Sequence, residues 1–204
     1  MSHTNHRNLA LALVVEGGLG LVAFGIGWLL GHSPAIGMAW DRSTADEQLR
    51  AIGLGVLATL PVLVALVGLD RLSVQPIERV KDLASQVIHL MFPRPRWWQL
   101  ALVAAAAGLG EELLFRGLLQ AGLSKFIGLP AGPWIALLVA SLVFGAFHWL
   151  DTTYALLAAV AGLYFGGLLL LTESLWPPIV AHALYDFFAL CYVLRTNKTV
   201  RYEV

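Results

Sequence analysis

Apolar residues in this chain gather into long runs divided by short polar stretches. A helix rises 1.5 Å per residue, so about 20 residues cross about 30 Å of hydrocarbon. Six runs are near that length, at residues 9–31, 49–69, 97–123, 133–150, 154–172 and 177–194. A spanning segment must satisfy its own backbone groups, and no alternating ten-residue strand pattern is present, so all six read as helices. The pattern predicts an all-α polytopic membrane bundle of about six transmembrane helices.

The stretch between the second and third runs is too polar to cross. In it Val74, Ile77, Val80, Leu83, Ala84, Val87 and Ile88 recur at helical spacing, which predicts an amphipathic helix lying on the membrane surface. Pro93-Arg94-Pro95-Arg96 ends it, and Trp97-Trp98 marks an interface level. No internal repeat or low-complexity tract interrupts the chain. It reads as one integral-membrane domain over 1–204, with an interfacial segment at 71–96 and a core at 97–194 that carries the chemistry-bearing motifs.

Loop charge predicts the orientation. Arg7, Arg71, Arg79, Lys81, Arg94, Arg96, Arg195, Lys198 and Arg201 fall on one side, and Arg42, Arg50 and Lys125 on the other. By the positive-inside rule the richer side is cytoplasmic, and six crossings put both termini and the amphipathic helix there.

Composition narrows the class further. The chain is 58% apolar and 13% charged, against roughly a quarter charged in soluble domains, which excludes disorder and argues against a soluble domain. Thirteen basic residues balance thirteen acidic ones, so nothing points to a nucleic-acid partner. The single cysteine, Cys191, cannot form an internal disulfide and reads as a small buried apolar residue. The first run is long enough to span and no small-residue cleavage site follows it, so no cleavable signal peptide is expected.

Charge inside a span costs roughly 2.5–3.5 kcal/mol, so the residues that bear it are functional candidates. The third run holds Glu111, Glu112 and Arg116. Glu112 and Arg116, four apart, share a helix face and can pair, which reads first as a structural lock. Glu111 points about 100° away with no partner on its own helix. Phe144 and His148 close the fourth run, and His182 and Asp186 lie in the sixth, each pair four apart. Three helices thus carry a polar stripe, and one shared interior site is the economical arrangement. Plainer roles compete: Glu111 as a second carboxylate on Arg116, His148 as an interface residue beside Trp149, His182 as a helix contact, and Asp186 as its orienting partner. Glu16 stands alone near Gly17-Gly18 and reads as a packing or cavity residue without chemistry. His3, His6, His32 and His89 lie outside the spans and are expected in solvent.

Glu111-Glu112-x-x-x-Arg116, Phe144-x-x-x-His148 and His182-x-x-x-Asp186, in this order and on separate hydrophobic helices, resemble the CAAX protease and bacteriocin-processing (Abi) family of intramembrane proteases. Its eukaryotic members are the type II CAAX prenyl endopeptidases. The resemblance implies peptide-bond hydrolysis in the membrane, with Glu111 as general base, His148 on the same water, and His182 with Asp186 facing the oxyanion. Glu112, Arg116 and Phe144 would support them. The chemistry agrees: a desolvated carboxylate accepts a proton from water more readily, and an imidazole can hold the nucleophile or donate to an oxyanion. The family's third motif ends in Asn or Asp. An aspartate cannot donate unless protonated, so Asp186 is equally an orienting partner for His182.

Family members have been described both as metalloproteases and as glutamic proteases. Glu111, His148 and His182 would supply three zinc ligands with a fourth position for water. Against zinc, His-x-x-x-His is absent and each ligand comes from a different helix, so the cofactor-free, glutamic-type reading is preferred. The expected partners are the bilayer and a membrane-associated or lipidated peptide or protein. Small members without a large soluble domain resemble prokaryotic ones, which points to a prokaryotic cytoplasmic membrane. Two other functions compete: a non-enzymatic immunity or scaffold protein on the same fold, and a proton-coupled transporter, for which no paired repeat is visible. One geometric condition remains. His148 ends its run while His182 begins one running the same way, so they meet only if Pro177-Pro178 starts the sixth helix recessed or the fourth helix continues past Leu150.

Overall fold

The computed structural model describes residues 3–38, 44–93 and 95–196, and the side chains of 3–6 and 196 are not among what it describes. The expectations for His3 and His6, and the loop charges Arg42, Arg94, Lys198 and Arg201, therefore lie outside the described residues. Among those described, the chain is all helix: α1 (His3–Leu29), α2 (Ala45–Asp70), α3 (Gln75–Met91), α4 (Trp97–Glu112), a π-helical segment (Leu113–Gln120), α5 (Ala121–Ile127), α6 (Gly132–Phe147), α7 (Thr152–Thr172) and α8 (Trp176–Thr196).

Four stretches, Arg7–Leu29, Ala45–Asp70, Thr152–Thr172 and Trp176–Arg195, are long and apolar enough to cross a membrane. The chain is inverted relative to a soluble protein. Leu21, Trp28, Val64 and Leu171 are exposed, while Gln48, Gln99, Glu112, Arg116, Gln120 and His182 are buried. Apolar side chains face outward and polar ones inward, as a lipid solvent requires. This is an integral membrane protein.

Two of the six expected spans differ in form. The third is not one α-helix: eight residues after Glu112 are wound as π-helix before α5 resumes, an irregularity that frees backbone carbonyls and recurs at functional sites. The fourth does not reach Leu150. α6 stops at Phe147 and His148 caps it, its N–H bonding the Gly145 carbonyl at 3.1 Å. The chain then turns because α7 needs an extended N-cap at Asp151, whose side chain accepts from the Tyr154 N–H at 2.8 Å. Of the two routes by which His148 and His182 might meet, extension of α6 is thus closed. The other is used: Leu175, Pro177 and Pro178 at the start of α8 are fully buried, and the Leu175 N–H donates to the Ile36 carbonyl at 3.0 Å.

The bundle has two distinct ends. At one, the Asn8 amide donates to the Met91 carbonyl at 2.9 Å, Lys81 bonds the Asp70 carbonyl at 2.6 Å, the Tyr192 hydroxyl donates to Asp70 at 2.5 Å, and Arg79 pairs with Asp151 at 3.7 Å. This end carries α3. At the other, the 31–38 connection folds inward against the start of α8 and the π segment. There His32 Nε2 donates to the Gly117 carbonyl at 2.8 Å, so His32 is a structural anchor rather than a solvated residue. His89 is also not free in solvent, since its Nδ1 bonds the Ser85 carbonyl of its own helix at 2.8 Å. Cys191 is a free thiol, half-buried rather than buried, packed beside the cluster around Leu9, Phe92 and Leu100.

Two glycines of α4 let its neighbours approach closely. A Cβ on Gly108 would sit 2.8 Å from Ala183 of α8, and one on Gly110 would fall on the Glu16 carbonyl of α1. Both contacts flank Glu111, which is therefore enclosed between α1 and α8.

Candidate active site

α4 sends two acids in different directions. Glu112 Oε1 lies 3.1 Å from Arg116 NH1 and 2.8 Å from His182 Nδ1. Glu112 is 0% and Arg116 1% exposed, so this is a fully interior ion pair. The guanidinium also lies 4.3 Å over the Phe144 ring and donates to the Gly162 carbonyl at 3.3 Å. The expected pair is present, with a third member: His182 reaches it from α8.

That contact determines which nitrogen of His182 is turned to Glu111. An ionised Glu112 only accepts, so Nδ1 carries the proton and Nε2 is presented to the site. Phe165, stacked on the His182 ring at 4.8 Å and 11°, holds its plane. His148 is fixed in the same sense, its Nδ1 donating to the Phe144 carbonyl at 2.9 Å and its ring against Phe144 at 4.3 Å. Both histidines therefore direct Nε2 to one point.

That point is Glu111. Its Oε2 lies 3.6 Å from His148 Nε2 and 3.9 Å from His182 Nε2, while Asp186 Oδ2 lies 3.5 Å from the same His182 nitrogen. The Glu111 Oε2 atom is buried with no hydrogen-bond partner among the described residues. Distances of this size are beyond direct hydrogen bonds, and they leave the groups placed to act on a third species between them. The His148 and Asp186 side chains are 27% and 29% exposed, against 10% for Glu111 and 5% for His182, so the cluster opens along the His148–Asp186 edge. That edge is near α3, whose Arg79 holds Asp151 just beyond His148.

The structure thus gathers Glu111, Glu112, Arg116, Phe144, His148, His182 and Asp186 into one place. Asp186 does not hold the outer nitrogen of His182, which belongs to Glu112, and instead shares the inner face with Glu111. Three participants were not foreseen. Phe165 and Gly162 of α7 carry no polar signal. Glu16 of α1 does: it is an acid in an apolar run, and its carboxyl is within hydrogen-bonding reach of Glu111. Among the described residues no group of three His, Cys, Asp or Glu side chains is set as metal ligands.

Residues 93–188 match the Rce1-like family, described as type II CAAX prenyl endopeptidase Rce1-like. No curated protein and no solved structure matches the chain. The matched segment begins just after α3, runs to the middle of α8 and contains every residue of the three motifs.

Proposed function

With a motif-bearing segment that belongs to the Rce1-like family of CAAX proteases as premise, we propose that this protein is a glutamic-type intramembrane endopeptidase that hydrolyses a peptide bond of a membrane-associated or lipidated substrate. The observation that carries this reading is the convergence of His148 Nε2 and His182 Nε2 on the unpartnered Glu111 Oε2. A water at that point donates to Glu111 and to His148, which leaves its lone pair for attack. Glu111 takes one proton as the oxygen bonds to the scissile carbonyl carbon. The oxyanion that forms is stabilised from the His182 side, where the imidazole, held by Glu112, serves as donor when protonated. Collapse breaks the C–N bond and Glu111 returns its proton to the leaving nitrogen, which gives an amine and a carboxylic acid, and the acid's proton then passes to the amine to leave a carboxylate and an ammonium.

Six crossings with both termini cytoplasmic accompany this reading. The support is the segregation of contacts into two ends, with α3, Asp70, Asp151 and Tyr192 at one and the 31–38 connection with Leu175 at the other. Helices alternating between those ends cross six times if α4, the π segment and α5 count as one span and α6 as a short one. Reporter fusions after Gly31 and after Arg201 should then report opposite compartments, and the same compartment would overturn the topology. The activity is tested by presenting a membrane-embedded peptide library to the purified protein in liposomes. Cleavage that is lost in Glu111→Gln and survives a chelator supports the reading. Cleavage that persists in Glu111→Gln overturns the general base.

A further inference from the structure

α3 packs against α7 and α8 at the end of the bundle where the site opens. Its two faces differ as helical spacing requires. Ser85 is buried, with Ile77, Ala84 and Ile88 half-buried on the same side, while Arg79, Gln86 and Leu90 are exposed on the opposite side. The outward face changes character along its length. Val87 and Leu90 near its C-terminal end are exposed, as is Trp97 beyond it, and such side chains belong in the interfacial layer of a bilayer. Arg79 lies about 16 Å from Leu90 along the helix axis, on the polar part of that face. One end of α3 therefore enters the apolar side of the interface and the other stands at headgroup level.

Two ties anchor α3 to the bundle. Lys81 donates to the Asp70 carbonyl at 2.6 Å, and the Met91 carbonyl accepts from the Asn8 amide at 2.9 Å, with Phe92 buried beside Leu9 and Leu100. Toward the turn that follows His148 the tie is weaker. Arg79 Nε stands 3.7 Å from Asp151 Oδ2, a charge pair too long for a hydrogen bond, and the Arg79 side chain is 72% exposed. Asp151 does not depend on that pair, since its Oδ1 accepts from the Tyr154 N–H and caps α7. An exposed pair of this kind is worth no more than the attraction of one arginine to an anionic bilayer surface, and a phosphate offers a guanidinium two oxygens at once.

We propose that α3 binds anionic lipid headgroups and acts as a latch on the site: a headgroup phosphate takes Arg79 from Asp151, which frees α3 from the turn after His148 and widens the entrance at the His148–Asp186 edge. The inference rests on the reading of the Glu111 cluster as the active site. Access to that cluster then depends on the charge of the surrounding leaflet.

The test uses the full chain in phosphatidylcholine vesicles with and without phosphatidylglycerol. Spin labels are placed on α3 and α7 through Gln86→Cys and Leu156→Cys, both at exposed positions, with Cys191→Ala removing the native thiol. The distance between the labels should lengthen by several ångströms when phosphatidylglycerol is present. Equal distances in the two vesicles overturn the proposal. Inorganic phosphate added to the neutral vesicles should change nothing, and a response equal to that of the anionic lipid overturns the lipid as ligand. Asp151→Asn keeps the oxygen that caps α7 but loses the charge that holds Arg79, so in neutral vesicles it should already give the longer distance. If it gives the wild-type distance there, the latch is wrong. The second readout is cleavage of a farnesyl-anchored peptide of zero net charge, whose own partition does not follow lipid charge. Phosphatidylglycerol should raise kcat/KM by about fivefold in wild type and leave Asp151→Asn, already fast, unchanged. Lengthened distances without that rise overturn the gain in access. Glu111→Gln that cleaves normally removes the general base instead, and the label distances decide the latch whether or not any peptide is cut.

Discussion

The pockets on either side of α4 begin from identical side chains and end in different chemistry. Glu112 faces a guanidinium at 3.1 Å and an imidazole nitrogen at 2.8 Å, behind Phe144 and Phe165. Its charge is met by a fixed cation. Glu111, one residue earlier, faces imidazole nitrogens at 3.6 and 3.9 Å and a second acid, and its Oε2 has no donor among the described residues. The difference teaches which acid is framework and which is reagent. A carboxylate tied to a buried arginine cannot take up and return a proton without breaking the pair, whereas one surrounded by unsaturated hydrogen-bonding groups can. His182 joins the two pockets, since its Nδ1 is held in the first and its Nε2 works in the second.

The comparison is broken most directly by neutralising each acid in turn. Glu111→Gln should reduce peptide cleavage by about 10²–10⁴-fold with no fall in melting temperature, and an active variant would remove the distinction. Glu112→Gln should behave in the opposite way, leaving Arg116 without its counter-charge at a cost of about 3–5 kcal/mol, read by thermal unfolding in detergent. A double change, Glu112→Leu with Arg116→Leu, should be more stable than either single change, because no charge is then left alone, yet inactive because His182 loses its acceptor. Gly110→Ala tests the enclosure of Glu111: the added methyl meets the Glu16 carbonyl, which should cost about 1–3 kcal/mol and lower activity by displacing α1. The smallest effect is expected from Phe165→Leu, where the stack on His182 is worth about 0.5–1.5 kcal/mol, or about tenfold in kcat at most.

Much of this architecture could be read locally. Crossing a bilayer demands length and apolar character within one contiguous segment, so the runs stand out in the sequence, and the pairing of Glu112 with Arg116 follows from a four-residue spacing on one helix. The same spacing put His148 over Phe144 and Asp186 beside His182. The exceptions are also local in origin. The π segment after Glu112 and the early end of α6 change the winding of the backbone without changing hydropathy, so no periodicity announces them.

What the sequence by itself determined is therefore the membrane class, the helical character and the list of polar residues that had to be buried together. Only the tertiary structure decided how those residues divide the work. His182 and Glu112 are 70 positions apart, and nothing in either helix says that their contact, rather than Asp186, orients the imidazole. Glu16 reads as an isolated acid in α1 until the backbones close on Gly110 and bring it to Glu111. The physical reason is that a spacing along one helix fixes a direction around that helix, while contact between helices depends on how closely two backbones approach and at what depth they cross. Those quantities are set by small residues such as Gly108 and Gly110, whose effect on packing lies in the side chain they lack.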